Sequence, residues 1–148
     1  EELVSGARAA GEQIVLTNGA FDLIHVGHVR YLQGAREHGD RVVVAVNADS
    51  SVKALKGPSR PMVPELERAE MVAALAVVDW VVIFSELNVE NVIRMIKPDV
   101  HAKGTDYTTE TIPERALVES LGGRVEVAGD PKNHSTTELV AKLGENRG

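Results

Sequence analysis

The chain has 148 residues, 43% of them hydrophobic, with a formal net charge of −6 and no cysteine. That size suits one domain with one core, the missing cysteines exclude disulfides, thiolate nucleophiles and Cys-based metal sites, and the negative balance opposes broad attraction to nucleic acid or anionic lipid. The longest apolar run, Met71 to Val78, is far too short to span a membrane and Glu1-Glu2 opens no signal segment, so the expected setting is the cytoplasm, with no membrane or nucleic-acid partner.

Residues 1–148 read as a single domain in which a leading helix over 1–11 feeds a core over 12–148. Glu1 to Ala10 have helix-favouring composition and stop at Gly11; Ile14 to Asn18 then form a short buried strand. Gly19 to His25 make a turn, after which Val29, Leu32 and Ala35 recur at helical spacing until Gly39. Arg41 to Val46 is a Val-rich run with little alternation, the pattern of a strand covered on both faces. Asp49 to Leu55 fit a short helix, and two prolines and a glycine stiffen the loop Lys56 to Pro61. Pro64 suits the first turn of a helix with an apolar stripe of Leu66, Ala69, Ala73 and Leu75. Trp80 to Phe84 give a third strand, Asn88 a cap for a helix ending at Lys97, and Val100 to Lys103 a fourth strand. A helix over Pro113 to Leu121, a strand marked by Val125 and Val127, and a helix over Ser135 to Leu143 complete the chain.

Strands alternating with helices predict an α/β fold: a doubly wound, Rossmann-like sheet of five parallel strands. In such sheets ligands bind beyond the carboxyl ends of the strands. The rule selects four segments: Gly19 to His28, Asn47 to Arg60, Lys103 to Tyr107 and Gly129 to Thr137.

In the first segment His25 and His28 stand three apart at the start of a helix, where free N–H groups and the helix dipole favour an anion. Gly27 would let a phosphate approach the backbone. The competing account is a pair of polar residues capping a surface helix, and a zinc site has no evident third ligand, so no metal ligand is assigned. Lys53 and Lys56 could meet phosphates as mobile charges or be solvated surface lysines. Gly104 permits close backbone approach and Asp106 could accept from a hydroxyl, or the two could form a simple turn. Ser135-Thr136-Thr137-Glu138 reads locally as a capping box. His38 and His101 read as structural, and Trp80, Phe84 and Tyr31 as core.

The run Gly19-Ala20-Phe21-Asp22-Leu23-Ile24-His25-Val26-Gly27-His28 resembles the G-x-F-D-x-x-H-x-G-H signature of the cytidylyltransferase-like nucleotidylyltransferases. The similarity continues through Gly39-Asp40, Val46 to Asp49, Arg68 and Ser135-Thr136-Thr137. Within that family the segments Lys56 to Pro61 and Lys103 to Tyr107 are most similar to the adenylyltransferases that make ADP-heptose from heptose 1-phosphate for the lipopolysaccharide core. The resemblance implies ATP and Mg²⁺ as nucleotide and ion, and a sugar 1-phosphate as acceptor. It also implies His25, His28, Lys53 and Arg68 as catalytic groups. Nucleotide contacts would come from Asn18, Gly19, Ala20, Phe21, Gly27, Lys56, Gly104, Asp106, Ser135, Thr136 and Thr137. For Arg68 an exposed ion pair with Glu65 or Glu67 is the alternative.

Transfer at the α-phosphorus needs positioning and charge neutralisation more than covalent chemistry. Cytidylyl transfer to glycerol 3-phosphate, adenylyl transfer to FMN or phosphopantetheine, and a non-catalytic nucleotide-binding module remain as alternatives. Asp130-Pro131-Lys132-Asn133-His134 lacks the arginine and glycine that precede S-T-T in relatives making CDP-glycerol, which counts against the first. A dinucleotide-binding oxidoreductase lacks its G-x-G-x-x-G here. A symmetric homodimer is the default assembly. The missing initiating methionine fits a trimmed or longer chain, with a sugar kinase as a fusion or pathway partner.

Overall fold

The computed structural model describes residues 2–130. The elements run α1 (Glu2–Ala9), β1 (Ile14–Gly19), α2 (Val26–Arg36), β2 (Arg41–Asn47), α3 (Asp49–Lys56), α4 (Glu65–Ala73), β3 (Trp80–Phe84), α5 (Glu90–Ile96), β4 (Val100–Lys103), α6 (Arg115–Ser120) and β5 (Arg124–Val127). The expected helix over Ser135 to Leu143, the Ser135-Thr136-Thr137 contacts and Lys132 lie outside the described residues.

All pairings in the five-stranded sheet are parallel, in the order β3-β2-β1-β4-β5. The Rossmann-like fold expected from the alternation of strands and helices is therefore the fold observed. β2 shows how the two faces are filled: Val42, Val44 and Val46 join a cluster with Leu32 and Ala35 of α2 and Val72 of α4, while Val43 and Ala45 join one with Val4 and Ala7 of α1 and Ile93 of α5. Successive side chains point to opposite faces, so an unbroken valine run serves both layers. Burying each such side chain is worth about 1.5–3 kcal/mol. No helix among the described residues is long and apolar enough to cross a membrane.

The amino edge of the sheet is closed by carboxylates. Asp40 accepts from the N–H of Gln13 at 2.7 Å, Asp99 from Ile14 at 2.8 Å and Asp79 from Val42 at 2.8 Å. Asp79 also holds Arg36 at 2.8 Å and Arg41 at 3.1 Å. These groups satisfy donors at the strand starts, and they leave the carboxyl edge for ligands. There the chain order reverses between β1 and β4, the switch point of a doubly wound sheet.

Two local expectations change. The inward face of α4 carries Arg68 and Val72, both fully buried, while Leu66 is 73% exposed. A hydrophobic stripe drawn through Leu66, Ala69 and Ala73 is rotated away from the real one, because the chain buries a hydrogen-bonded arginine where an apolar pattern would place leucine. At α5 the cap position is Val89, and Asn88 instead accepts from the N–H of Glu90 at 3.1 Å.

Candidate active site

The turn after β1 is shaped by Gly19 and Phe21. Phe21 takes a left-handed φ of 51°, an uncommon conformation outside glycine. Its ring lies so close to Gly19 that a Cβ there would sit 3.0 Å from ring carbon Cε2. The ring also meets His28, with centroids 5.2 Å apart.

From this turn α2 begins with a reciprocal cap. His25 Nδ1 accepts from the N–H of Gly27 at 3.1 Å, and His28 Nδ1 accepts from the N–H of His25 at 3.2 Å. The two rings stack with centroids 4.1 Å apart. A backbone N–H can only donate, so each Nδ1 is the acceptor and each neutral ring carries its proton on Nε2. Burial, then the charges of His25 and Lys56, push His28 down to about 4, which makes neutral imidazole its form at pH 7. The capping account and the anion-donor account are compatible at His28, where the cap fixes the tautomer with the proton on Nε2; the Nε2 of His25 is itself buried in the protein. The N–H of Gly27 is engaged in this cap.

Between the ends of β1, β2 and β4 lies a cavity of about 360 Å³. Asn18, Gly19, Ala20, Lys56, Gly104 and Asp106, all anticipated, line it together with Tyr31, Asn47, Lys103 and Tyr107. Lys53 is exposed on α3, and neither it nor Phe21, His25, Gly27 or His28 is part of the lining. Tyr31, expected in the core, packs against it but also faces the cavity, with its hydroxyl donating to the carbonyl of Ala102 at 2.6 Å. Among the described residues no group of three His, Asp or Glu side chains gathers that could hold a metal ion.

Arg68 occupies neither place expected for it. Its side chain is fully buried; Nε donates to the carbonyl of Val63 at 2.8 Å, Nη1 to those of Ala20 and Asn47 at 2.7 Å each, and Nη2 to Asp49 at 2.8 Å. The guanidinium thus ties together three segments at the site and is directed at protein carbonyls, not at the cavity. Asp22 makes a second tie. It accepts from Arg60 at 2.8 Å and from the N–H groups of Met62 and Val63 at 2.9 Å each, so the stiff loop is fastened to the turn after β1. Burial raises the Asp22 carboxyl, yet those N–H groups and Arg60 together bring it below the usual carboxylate range. Sequence spacing contained Asp22 within the first motif without revealing this partner set.

His101 is fully buried in β4, and its Nε2 lies 3.1 Å from Oδ1 of Asn18. Burial, then the charge of Lys103, lower it to about 3, so it stays neutral. Its burial within the strand goes with a contact to a residue that lines the cavity. Only the strand register, which sets Leu16 beside His101, brings the two together.

A family model described as cytidylyltransferase-like matches residues 16–142. The chain belongs to the cytidylyltransferase-like family. Among its relatives, "Bifunctional protein HldE" of Syntrophotalea carbinolica is 48% identical over 136 residues, 92% of this chain and 28% of that protein. The protein of the same name from Pseudomonas fluorescens SBW25 is 47% identical over 143 residues, 97% of this chain and 30% of that one. This cytidylyltransferase-like chain therefore spans under a third of the length of these relatives. A solved structure, the lipopolysaccharide core biosynthesis protein from Thermoplasma volcanium GSS1, superposes with a TM-score of 0.67 at 28% identity, covering 79% of this chain and 94% of that one.

Proposed function

We propose that this domain transfers AMP from ATP to a sugar 1-phosphate, heptose 1-phosphate in particular, releasing pyrophosphate and forming ADP-heptose for lipopolysaccharide core synthesis. The observation that carries the reading is the reciprocally capped His25–His28 pair, of which His28 feels the charge of Lys56, a residue lining the cavity together with Lys103. Relatives named HldE and a neighbour named for lipopolysaccharide core biosynthesis support the choice of acceptor.

In the proposed reaction an acceptor phosphate oxygen attacks the α-phosphorus of ATP in line, forming a new P–O bond as the α–β bridge bond breaks and pyrophosphate leaves. The acceptor oxygen is already an anion, so no general base is required. Nε2–H of His28 donates to a phosphate oxygen as charge shifts toward the leaving group, a dipole held in place by the cap, and His25, whose Nε2 is buried in the structure, joins it once the bound nucleotide exposes that nitrogen. Lys56, which lines the cavity, neutralises further charge, and Lys53, exposed on the same helix outside the lining, adds to the positive charge there. Arg68 acts through Ala20, Asn47 and Asp49 as a positioning residue. Mg²⁺ enters as the MgATP complex, held by phosphates and water. A cytoplasmic setting, a homodimer and a sugar kinase as fusion or pathway partner complete the proposal.

A pyrophosphate-release screen crossing four NTPs with heptose 1-phosphate, glycerol 3-phosphate, FMN and phosphopantetheine tests it. ATP with heptose 1-phosphate should turn over fastest. Faster turnover of CTP with glycerol 3-phosphate would overturn the adenylyl assignment.

A further inference from the structure

The floor of the cavity holds an ion pair to which neither the sequence motifs nor the transfer chemistry assigned a part. Lys103, the last residue of β4, is 9% exposed and lines the cavity, and Glu114, just before α6, is 9% exposed behind it. Their closest N···O approach is 3.5 Å. That is longer than the roughly 2.7–2.9 Å of a good charge-assisted hydrogen bond. The other Glu114 oxygen, Oε2, is buried without a hydrogen-bond partner among the described residues. The ammonium also faces the Tyr107 ring, 5.0 Å from Nζ to the centroid.

Lysine and glutamate are almost never buried unless paired, and a buried pair is weak evidence for stability even when its geometry is good. This one is loose. Lys103 brings three donors, Glu114 has an oxygen to spare, and the cavity in front of Lys103 is open. Such a pair costs desolvation free energy that packing alone does not recover, whereas an anion entering the cavity would complete the hydrogen bonding of the ammonium.

We propose that Lys103 binds the phosphate of the acceptor, a phosphate monoester, and that Glu114 is the positioning residue that aims its ammonium. The chain topology supports the division of labour. His25 and His28 stand where β1 leads into α2, whereas Lys103 ends the neighbouring strand β4 and lines the cavity with Asn18, Gly19 and Ala20. A buried cation backed by a carboxylate suits a nucleophile that must be oriented, while the exposed Lys56 suits phosphates that arrive and leave. Neutral His101 adds no competing charge beneath the pair. The inference rests on the proposed transfer to a phosphorylated acceptor and specifies which residue holds that phosphate.

The test separates acceptor from nucleotide. Lys103→Met, Lys103→Arg, Glu114→Ala and Glu114→Gln are assayed for pyrophosphate release with MgATP and heptose 1-phosphate, and α,β-methylene-ATP is titrated by calorimetry into each folded variant. Lys103→Met should raise the acceptor KM about tenfold or more while the analogue Kd stays within about threefold of wild type, as expected when one charged hydrogen-bonding group is lost from one ligand only. Lys103→Arg should recover part of that loss. Glu114→Ala should raise the acceptor KM with the same selectivity, and Glu114→Gln, whose amide oxygen can still hold the ammonium, should recover part of it. If Lys103→Met does not fold, Lys103→Arg and the Glu114 pair report the same split. An acceptor KM within about twofold of wild type, or an equal loss of analogue affinity, overturns the inference. Should the wild-type protein prefer another phosphorylated acceptor, the variants are measured on that acceptor, so a wrong sugar and a wrong role for Lys103 give different results. A wild-type protein inactive with every pair overturns the proposed function and this inference together.

Discussion

His25 and His28 each commit Nδ1 to the backbone of their own helix start, so the cap leaves each proton on Nε2. The consequence at low pH follows from the protonation states. Above about pH 6.5 His28 is neutral both folded and unfolded; below it the unfolded chain takes up a proton that the folded chain resists down to about 4. Stability should therefore fall as pH drops from about 6.5 toward 4, with His101, lowered to about 3, contributing through the same range and beyond. His28→Gln should flatten that slope in urea titrations across the interval; an unchanged slope would remove His28 from the account. In the reaction, His28→Ala should lower kcat roughly a hundredfold, the usual cost of one preorganised donor, with a smaller effect on the KM for ATP. Glutamine should restore part of the rate and glutamate should not, since the proposed role is donation. A variant that changes only KM would show that the ring binds the ground-state nucleotide.

At the scale of elements, α2 carries His28 at one end and packs through Gly34 farther along. A Cβ on Gly34 would lie 2.9 Å from the amide nitrogen of Gly129 and 3.3 Å from Cβ of Ala128, so the helix sits against the chain leaving β5 with no room for a methyl group. Gly129 in turn has a φ of 97°, which a side chain would strain. Gly34→Ala should gain about 1 kcal/mol of helix propensity yet lose about 1–3 kcal/mol to overpacking. A net loss in urea melts and a kcat lowered by displacement of the helix start are expected; unchanged stability would show that α2 can shift freely. The elements themselves were legible because valine runs, glycine stops and helical spacing are local signals. The site was legible only where it is also local, in Gly19 to His28 and in the short segments after β2 and β4. Arg68 was named by resemblance, but its burial was not legible, because a charged residue on a buried helix face contradicts the hydrophobic pattern and its carbonyl partners are not encoded in neighbouring residues. Asn18 and His101, 83 positions apart, and the Lys103–Glu114 pair depend on strand register and on the path into α6, neither of which spacing determines.

Across the whole molecule the two edges of the sheet differ in what they do. Asp40, Asp79 and Asp99 tie the strand starts on one edge, and the cavity with its lysines opens at the other. The valine-filled layers between them need nothing from the ligand to stay packed. On the proposed function, substitutions in the segment after β4 should alter which acceptor is held while the carboxylate-tied edge keeps its strand-start hydrogen bonds. The arrangement gives the scaffold evolutionary latitude: descendants of one such domain can diverge in the molecule they modify, with Arg68 and Asp22 marking the few places where a change of substrate would also unfasten the frame.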